Sequence, residues 1–258
     1  MNPFDLEKKR AELSEQNKLN ILSKTYDRSY PVIYDKNSAK FWDELNTECN
    51  DYTNNNNPMA IDRIRIVNKL IYGKNIKVLN IGFGSASLEN NYFTNNQKIT
   101  NVSWAGIDIS HKSVNYAKKK YPYANFEVGN IRKLGFDNNI FDYVICLEVL
   151  EHIQPYHTFE ALSELFRVIK KNGNLIVSVP LNEGLQMLIS NNINPNGHVR
   201  VYTSSLIKAE LKISGFNIID EQYLYAFKKN YKLKKFIVTR FIKNYRKPNN
   251  IIIVARKP

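Results

Sequence analysis

The chain has 258 residues, 43% of them hydrophobic and 24% charged, enough for one α/β domain with additions and a real buried core. Its two cysteines, Cys49 and Cys146, lie far apart, which excludes a disulfide framework and a cysteine zinc site. The formal charge of +13 is unevenly placed: eleven Lys or Arg and no Asp or Glu fall between Lys228 and Pro258, leaving the rest near +2 (13 less 11).

No apolar run approaches the roughly 18 residues of a spanning helix. The opening residues, MNPFDLEKKRAELSEQ, are charged and lack an apolar signal core, so a cytosolic protein is expected. Residues 1–58 mix a helix-forming segment, Leu6–Lys24, with the aromatics Tyr26, Tyr30, Tyr34, Phe41, Trp42 and Tyr52, and the run Asn54–Asn57 reads as loop. This stretch is expected to form a helical and aromatic cap. Its aromatics either cover a pocket or simply pack on the domain that follows.

Pro58 leads into a helix over Met59–Tyr72, whose apolar side carries Ile64, Val67, Leu70 and Ile71, with Arg63 at its edge and Gly73 as its stop. Ile76–Ile81 predicts a buried strand running into a glycine turn, Gly82 and Gly84, and a helix from Ser85 to Phe93. A second strand over Val102–Ile107 ends at Asp108, 26 residues beyond Gly82. Ser110 is a natural cap for a helix over Lys112–Tyr121, and a third strand follows over Ala124–Val128. The strand Phe141–Leu147 is apolar nearly throughout, as a strand covered on both faces should be. A helix over Thr158–Ile169 closes with the stop Lys170-Lys171-Asn172-Gly173 before a fifth strand, Asn174–Val179. Residues 181–202 read as a long polar loop and Thr203–Ser214 as a helix. Two late strands, Phe216–Tyr225 and Asn250–Arg256, enclose a basic insertion over 227–247.

Strands alternating with helices predict an α/β fold: a Rossmann-like, seven-stranded, mostly parallel sheet with helices on both faces and the last strand antiparallel. A strand, a glycine turn, a helix and then a strand-terminal acid suit a cofactor with a ribose, because the acid reaches the hydroxyls and the turn lets a ligand approach the backbone. A dinucleotide fingerprint needs a third glycine where Ser87 stands, and a Walker loop needs a Gly-Lys-Ser/Thr that is absent. A ribose without a pyrophosphate fits better, and S-adenosylmethionine is such a cofactor.

On these residues the chain resembles the class I S-adenosylmethionine-dependent methyltransferases. The resemblance runs through Val78-Leu79-Asn80-Ile81-Gly82-Phe83-Gly84, Gly106-Ile107-Asp108, and Phe141 to His152 with its Glu148-Val149-Leu150-Glu151-His152 ending. It continues through Phe166-Arg167-Val168-Ile169-Lys170-Lys171-Asn172-Gly173. Gly197-His198-Val199-Arg200-Val201-Tyr202-Thr203 and Gly215-Phe216 are similar to the small-molecule branch that includes ubiquinone-pathway O-methyltransferases. The resemblance implies a methyltransferase domain over 59–258. It implies that Gly82 and Gly84, with Phe83 between them, admit the methionine end of the cofactor. Asp108 then holds the ribose, Ile109 lies on the adenine, Asn130 and Ile131 frame its edge, and Leu147 and Glu148 border the methyl. Arg63 matches an arginine that some relatives place on the methionine carboxylate. The family usually carries an acid where Asn80 stands, and often one where Asn130 stands. An amide accepts a hydrogen bond but offers no full charge to the methionine ammonium. Either affinity is lower, or another acid compensates, or the domain no longer binds cofactor and is a binding protein that kept the fold and lost the chemistry.

Methyl transfer is an in-line displacement, so the protein's task is alignment and exclusion of water. A hydroxyl acceptor benefits from a general base, and the candidates are His198, His152 and Tyr202. His152 reads first as a brace for its loop, and His111 and His157 as surface. No local metal-ligand spacing is present, so no metal is expected. The expected acceptor is a small or lipid-linked metabolite, with O-methylation favoured and a saccharide or secondary-metabolite precursor as one form. An RNA acceptor is the alternative, although no RNA-binding module is recognisable. The insertion FKKNYKLKKFIVTRFIKNYRK over 227–247 would place Leu233, Phe236, Ile237, Arg240 and Phe241 on one helical side. It reads as a helix packed on the sheet with a cationic rim, as a contact with the inner membrane face, or as an RNA contact.

Overall fold

A computed structural model describes residues 37–45, 57–95, 101–191, 194, 196–242 and 246–258. The described elements begin with a helix α1 (Ala39–Leu45), then α2 (Pro58–Leu70), β1 (Lys77–Ile81), α3 (Ser87–Asn95), β2 (Ser103–Asp108), α4 (His111–Lys120) and β3 (Asn125–Val128). They continue with β4 (Phe141–Leu147), two 3-10 turns (Leu150–His152 and Pro155–His157), α5 (Thr158–Val168), β5 (Ile169–Pro180) and α6 (Leu185–Ser190). The chain ends with α7 (Ser204–Ile213), β6 (Asn217–Leu224), α8 (Tyr231–Arg240) and β7 (Asn250–Arg256). The expected segment Leu6–Lys24, the aromatics Tyr26, Tyr30, Tyr34 and Tyr52, and Cys49 lie outside the described residues.

Seven strands form one sheet in the order β3-β2-β1-β4-β5-β7-β6, with β7 antiparallel to both neighbours and the other pairings parallel. Successive residues of each central strand enter opposite cores. Leu79, Val144, Cys146 and Ile253 pack on one side; Val78, Tyr143, Ile145 and Ile252 pack on the other. Both faces are therefore apolar, which is why β4 reads as one continuous apolar run. The order reverses at β1, which has β2 on one side and β4 on the other. Ile81 lies opposite both Ile107 and Cys146, so the loops after these three strands open at one point.

Helix ends follow their local chemistry. The Asn57 side chain accepts from the Met59 and Ala60 N–H groups to start α2, Ser110 accepts from Ser113 N–H to start α4, and Thr203 accepts from Leu206 N–H to start α7. Three expectations need correction. Lys170–Gly173 does not separate α5 from its strand, because β5 begins at Ile169 and bulges between Phe141 and Tyr143 of its partner. The loop after β5 contains α6. The apolar side chains of α8 do not pack on the sheet: Leu233 is 59% exposed, Phe236 58% and Phe241 69%, while Val238 is buried. The helix is held instead through Asp62 of α2, whose carboxylate takes the Tyr231 hydroxyl at 2.8 Å and pairs with Lys235.

The segment between α6 and α7 is fixed by a buried polar knot. Arg200, fully buried, donates to the Thr158 hydroxyl and the Glu210 carboxylate, and the Tyr202 hydroxyl donates to the other Glu210 oxygen at 3.0 Å. The guanidinium also lies 4.3 Å from the centre of the Tyr202 ring. Removing one partner of such a pair strands a buried charge. Glu210→Ala is expected to cost about 3–5 kcal/mol in urea denaturation, and the double change Arg200→Met with Glu210→Leu is expected to recover most of it.

Candidate functional site

A cavity of about 850 Å³ opens where β1, β2 and β4 end, within the range of natural ligand pockets. The glycine turn forms its floor. Gly82 (φ +64) and Gly84 (φ +54) both occupy the left-handed region that side chains resist. A Cβ at Gly82 would stand 2.5 Å from Val149, whereas the space around Gly84 is open to 4 Å. Phe83 lends the cavity its backbone, but its ring turns inward onto Phe126 with centroids 5.0 Å apart, so its side chain belongs to the core.

Asp108 ties the turn to the end of β2. One carboxylate oxygen accepts from Gly84 N–H at 2.8 Å and the other from Ser110 N–H at 2.8 Å. Burial raises its pKa, those N–H groups oppose the rise, and nearby Asp43 adds to it. Ile109, Asn130 and Ile131 line the cavity beside it. The Asn130 side-chain oxygen is used locally, accepting from Arg132 N–H at 2.9 Å, which leaves the amide nitrogen as its donor.

The acid missing at position 80 stands one hydrogen bond behind it. Asn80 donates from Nδ2 to Glu89 at 2.7 Å, and the Trp104 indole donates to the same oxygen at 3.1 Å. With its nitrogen committed inward, Asn80 keeps its carbonyl oxygen to offer a cationic ligand group. Glu89 is fully buried on α3, and its second oxygen has no partner among the described residues. Burial pushes its pKa up to about 7, despite the bonds from Asn80 and Trp104. Sequence reasoning missed Glu89 because its burial depends on how α3 packs against β1 and β2.

Leu147 and Glu148 follow on the β4 side. Glu148 has a left-handed backbone (φ +55) and a fully engaged carboxylate, accepting from Ser178 at 2.7 Å and Asn250 at 2.8 Å and pairing with Arg63 at 2.9 Å. Arg63 therefore lines the cavity as the partner of Glu148. Its Nε has no partner among the described residues.

Beyond Glu148 the chain turns Glu151 and His152 into the same cavity, where they meet His198 from the loop after β5. One ligating atom from each lies within 4.8 Å of the others. Glu151 is 1% exposed, and neither carboxylate oxygen has a partner among the described residues. Burial, Glu148 and Glu183 hold its carboxyl well above the usual range. His152 is pushed down to about 3 by burial and by His198, and its Nδ1 is also without a described partner. His198 shares Nδ1 with the Glu183 carboxylate at 2.7 Å. Trp42 of α1 presses edge-on against His152, with centroids 4.9 Å apart, and lines the cavity with Asn37 and Leu45. Asn37 donates to the Gly197 carbonyl at 2.9 Å, and Asp43 accepts from the Ser110 hydroxyl at 2.7 Å, so this segment reaches both sides of the opening.

Tyr202 needs correction as a catalytic candidate. It is 1% exposed, lies outside the cavity lining and spends its hydroxyl on Glu210. The expectation of no metal rested on local spacing, and the structure brings Glu151, His152 and His198 together from separate loops.

Residues 79–177 match the family described as a methyltransferase domain. The fold is shared with the methyltransferase in a complex with the Trm112 activator from Haloferax volcanii (TM-score 0.64, 16% identity, covering 85% of this chain and 97% of that one). It is also shared with the N-methyltransferase NodS of Bradyrhizobium japonicum WM9 in complex with S-adenosyl-L-homocysteine (TM-score 0.61, 12% identity, covering 84% and 98%). An uncharacterized protein of Methanocaldococcus jannaschii is 32% identical over 120 residues, 46% of this chain and 49% of its own length, so the chain spans about half of that relative. Over residues 79–177 the chain is thus similar to a methyltransferase domain, and S-adenosylmethionine is the cofactor that the sequence resemblance implies. The residues present suit that molecule: a bare turn, a strand-terminal carboxylate, an amide oxygen for an ammonium and a largely buried arginine for a carboxylate all line the cavity.

Two outcomes follow. Asp108→Ala is expected to weaken S-adenosylmethionine binding by roughly one to three kcal/mol in calorimetry, the loss of a charge-assisted pair. Glu89 binds its proton more tightly folded than unfolded, so its contribution falls as pH rises from its ordinary 4.5 to about 7. The full span is worth about 3 kcal/mol. Glu89→Gln should remove that fall, read as the difference between variant and parent in urea melts at pH 5 and pH 8.

Proposed function

We propose that this chain methylates an oxygen of a small or lipid-linked metabolite, with the acceptor's hydroxyl seated against Glu151, His152 and His198 under Trp42. The observation that carries this reading is the convergence of those three polar groups at the β4 side of the cavity, while the cofactor residues Asp108 and Ile109 stand on the β2 side. An amine is a strong nucleophile once its ammonium proton is gone, whereas a hydroxyl stays a weak one until a neighbouring group takes its proton. When bound, S-adenosylmethionine supplies a methyl group on a positively charged sulfur. This chain's residues position and shield: Arg63 and Asn80 hold the amino-acid end, Asp108 holds the ribose, and Trp42 with Asn37 limits water access.

The acceptor's lipid linkage is supported by the surface. On α8 the exposed Leu233, Phe236 and Phe241 are rimmed by exposed Lys228, Lys229, Lys232, Lys234 and Arg240, and few side chains of that helix are buried. An apolar stripe in a cationic rim matches an anionic bilayer surface, where each cation adds about 1 kcal/mol. The same charge would serve an RNA acceptor, and the loss of chemistry with retention of the fold is the remaining reading.

Incubation with isotope-labelled S-adenosylmethionine and panels of phenolic, saccharide and lipid-linked hydroxyl acceptors should give a labelled methyl ether by mass spectrometry. Label in RNA and in no metabolite would overturn the assignment, and absence of cofactor binding in calorimetry would support a fold without chemistry. The protein should sediment with phosphatidylglycerol vesicles at low salt, and Phe236→Ser with Phe241→Ser should reduce this severalfold. Equal sedimentation with neutral and anionic vesicles would remove the electrostatic argument.

A further inference from the structure

We infer that Glu151, His152 and His198 form a binding site for one divalent transition-type cation inside the acceptor end of the cavity. Three observations carry the site without reference to any relative. One ligating atom from each side chain falls within 4.8 Å of the other two, a spacing that donors around a single ion require. Glu151 is 1% exposed with both oxygens unmatched among the described residues, and His152 keeps Nδ1 unmatched as well. Buried polar atoms are ordinarily hydrogen-bonded, so three orphaned atoms from two neighbouring side chains point to a missing partner. The third observation is the Glu183 carboxylate, 2.7 Å from His198 Nδ1. A carboxylate behind a histidine fixes the ring's tautomer with the proton on Nδ1 and leaves the lone pair on Nε2.

The donor set names the class of ion. Two imidazoles and one carboxylate suit Zn²⁺, Fe²⁺, Mn²⁺ or Co²⁺ better than Mg²⁺ or Ca²⁺, which prefer oxygen cages. Three protein ligands leave positions open, the arrangement of a catalytic rather than a structural site. Glu148, close by, is not available as a fourth ligand in this arrangement, because Arg63, Ser178 and Asn250 hold its carboxylate. A hydroxyl oxygen entering an open position becomes more acidic, since a bound cation lowers the pKa of a coordinated O–H. Its proton passes to solvent. The oxygen lone pair then forms the new C–O bond as the C–S bond breaks, and that electron pair stays on sulfur, giving a methyl ether and a neutral thioether.

The role in transfer rests on the O-methylation reading above, whereas the binding of the ion does not. The test therefore reads the two separately. Full-length protein dialysed against chelator is titrated with Zn²⁺, Mn²⁺ or Co²⁺ chloride by calorimetry, with cobalt absorption in the visible as a second signal. Binding of one ion per chain is expected. Glu151→Gln and His198→Ala should each weaken it by at least a hundredfold, and Glu183→Gln by ten- to a hundredfold. S-adenosylmethionine binding by the same variants should stay within a few-fold of the parent, which also shows that they fold. No ion bound by the parent protein, or binding undiminished in Glu151→Gln, would overturn the site. Ion binding without cofactor binding would leave the site standing and overturn the methyl-transfer reading instead. Cofactor binding without ion binding would do the reverse.

Discussion

One carboxylate joins the two halves of the cofactor end. Asp108 uses an oxygen on the glycine turn after β1 and the other on Ser110, the second residue after β2. A glycine turn is permissive by nature, since Gly82 and Gly84 can adopt many conformations at little cost. The bond from Gly84 N–H to Asp108 selects one of them. Ser110, held by the same carboxylate, then caps α4 through its hydroxyl and gives a hydrogen bond to Asp43 of α1. The placement of the segment over the cavity thus traces back to the same acid that faces the ligand. Burial makes that carboxylate costly to ionise, and the two N–H groups offset part of the cost.

Several charged groups elsewhere in the molecule are closely paired. Arg200 has Glu210 and Thr158; Glu148 has Arg63, Ser178 and Asn250; Arg167 binds Glu164 and two backbone carbonyls. Arg63, Tyr92, Ser214 and Asn250 each leave one buried atom unmatched among the described residues, whereas Glu151 leaves both carboxylate oxygens bare. They stand next to a cavity and beside two imidazoles, where an unsatisfied acid is costly in the free protein and useful once a ligand arrives. Glu89 also has an unmatched oxygen, but it lies behind Asn80 and outside the cavity lining. Its burial shapes the wall without touching what the wall holds.

The parts legible in the sequence are those where one element decides the outcome. Phe141–Leu147 was readable to the residue because a strand buried on both faces needs an unbroken apolar run. Asp108 and the glycine turn were readable because a parallel sheet brings all its strand ends to one edge. Glu89, Glu183 and the meeting of Glu151 with His198 were not, because each depends on how a helix or loop returns over the sheet. Tyr202 misled for the same reason: its position in the chain beside His198 suggested a shared site, yet the turn between them sends one side chain to the cavity and the other to Glu210. On α8 the helical stripe was readable, but its direction was set by Asp62 on α2, which no periodicity within the insertion reveals.

The two ends of the cavity are built by different means, and this explains why the fold states the cofactor more clearly than the acceptor. At the β2 side the contacts come from strand ends and a tight turn, so the sheet register fixes them within narrow limits. At the β4 side they come from a 3-10 turn, a loop anchored by Arg200 and a short helix from the start of the described chain. Those parts can change in length without disturbing the pairing of β1 with β2 and β4. The sheet fixes the β2 end of the cavity, and the loops are free to vary what the β4 end accepts.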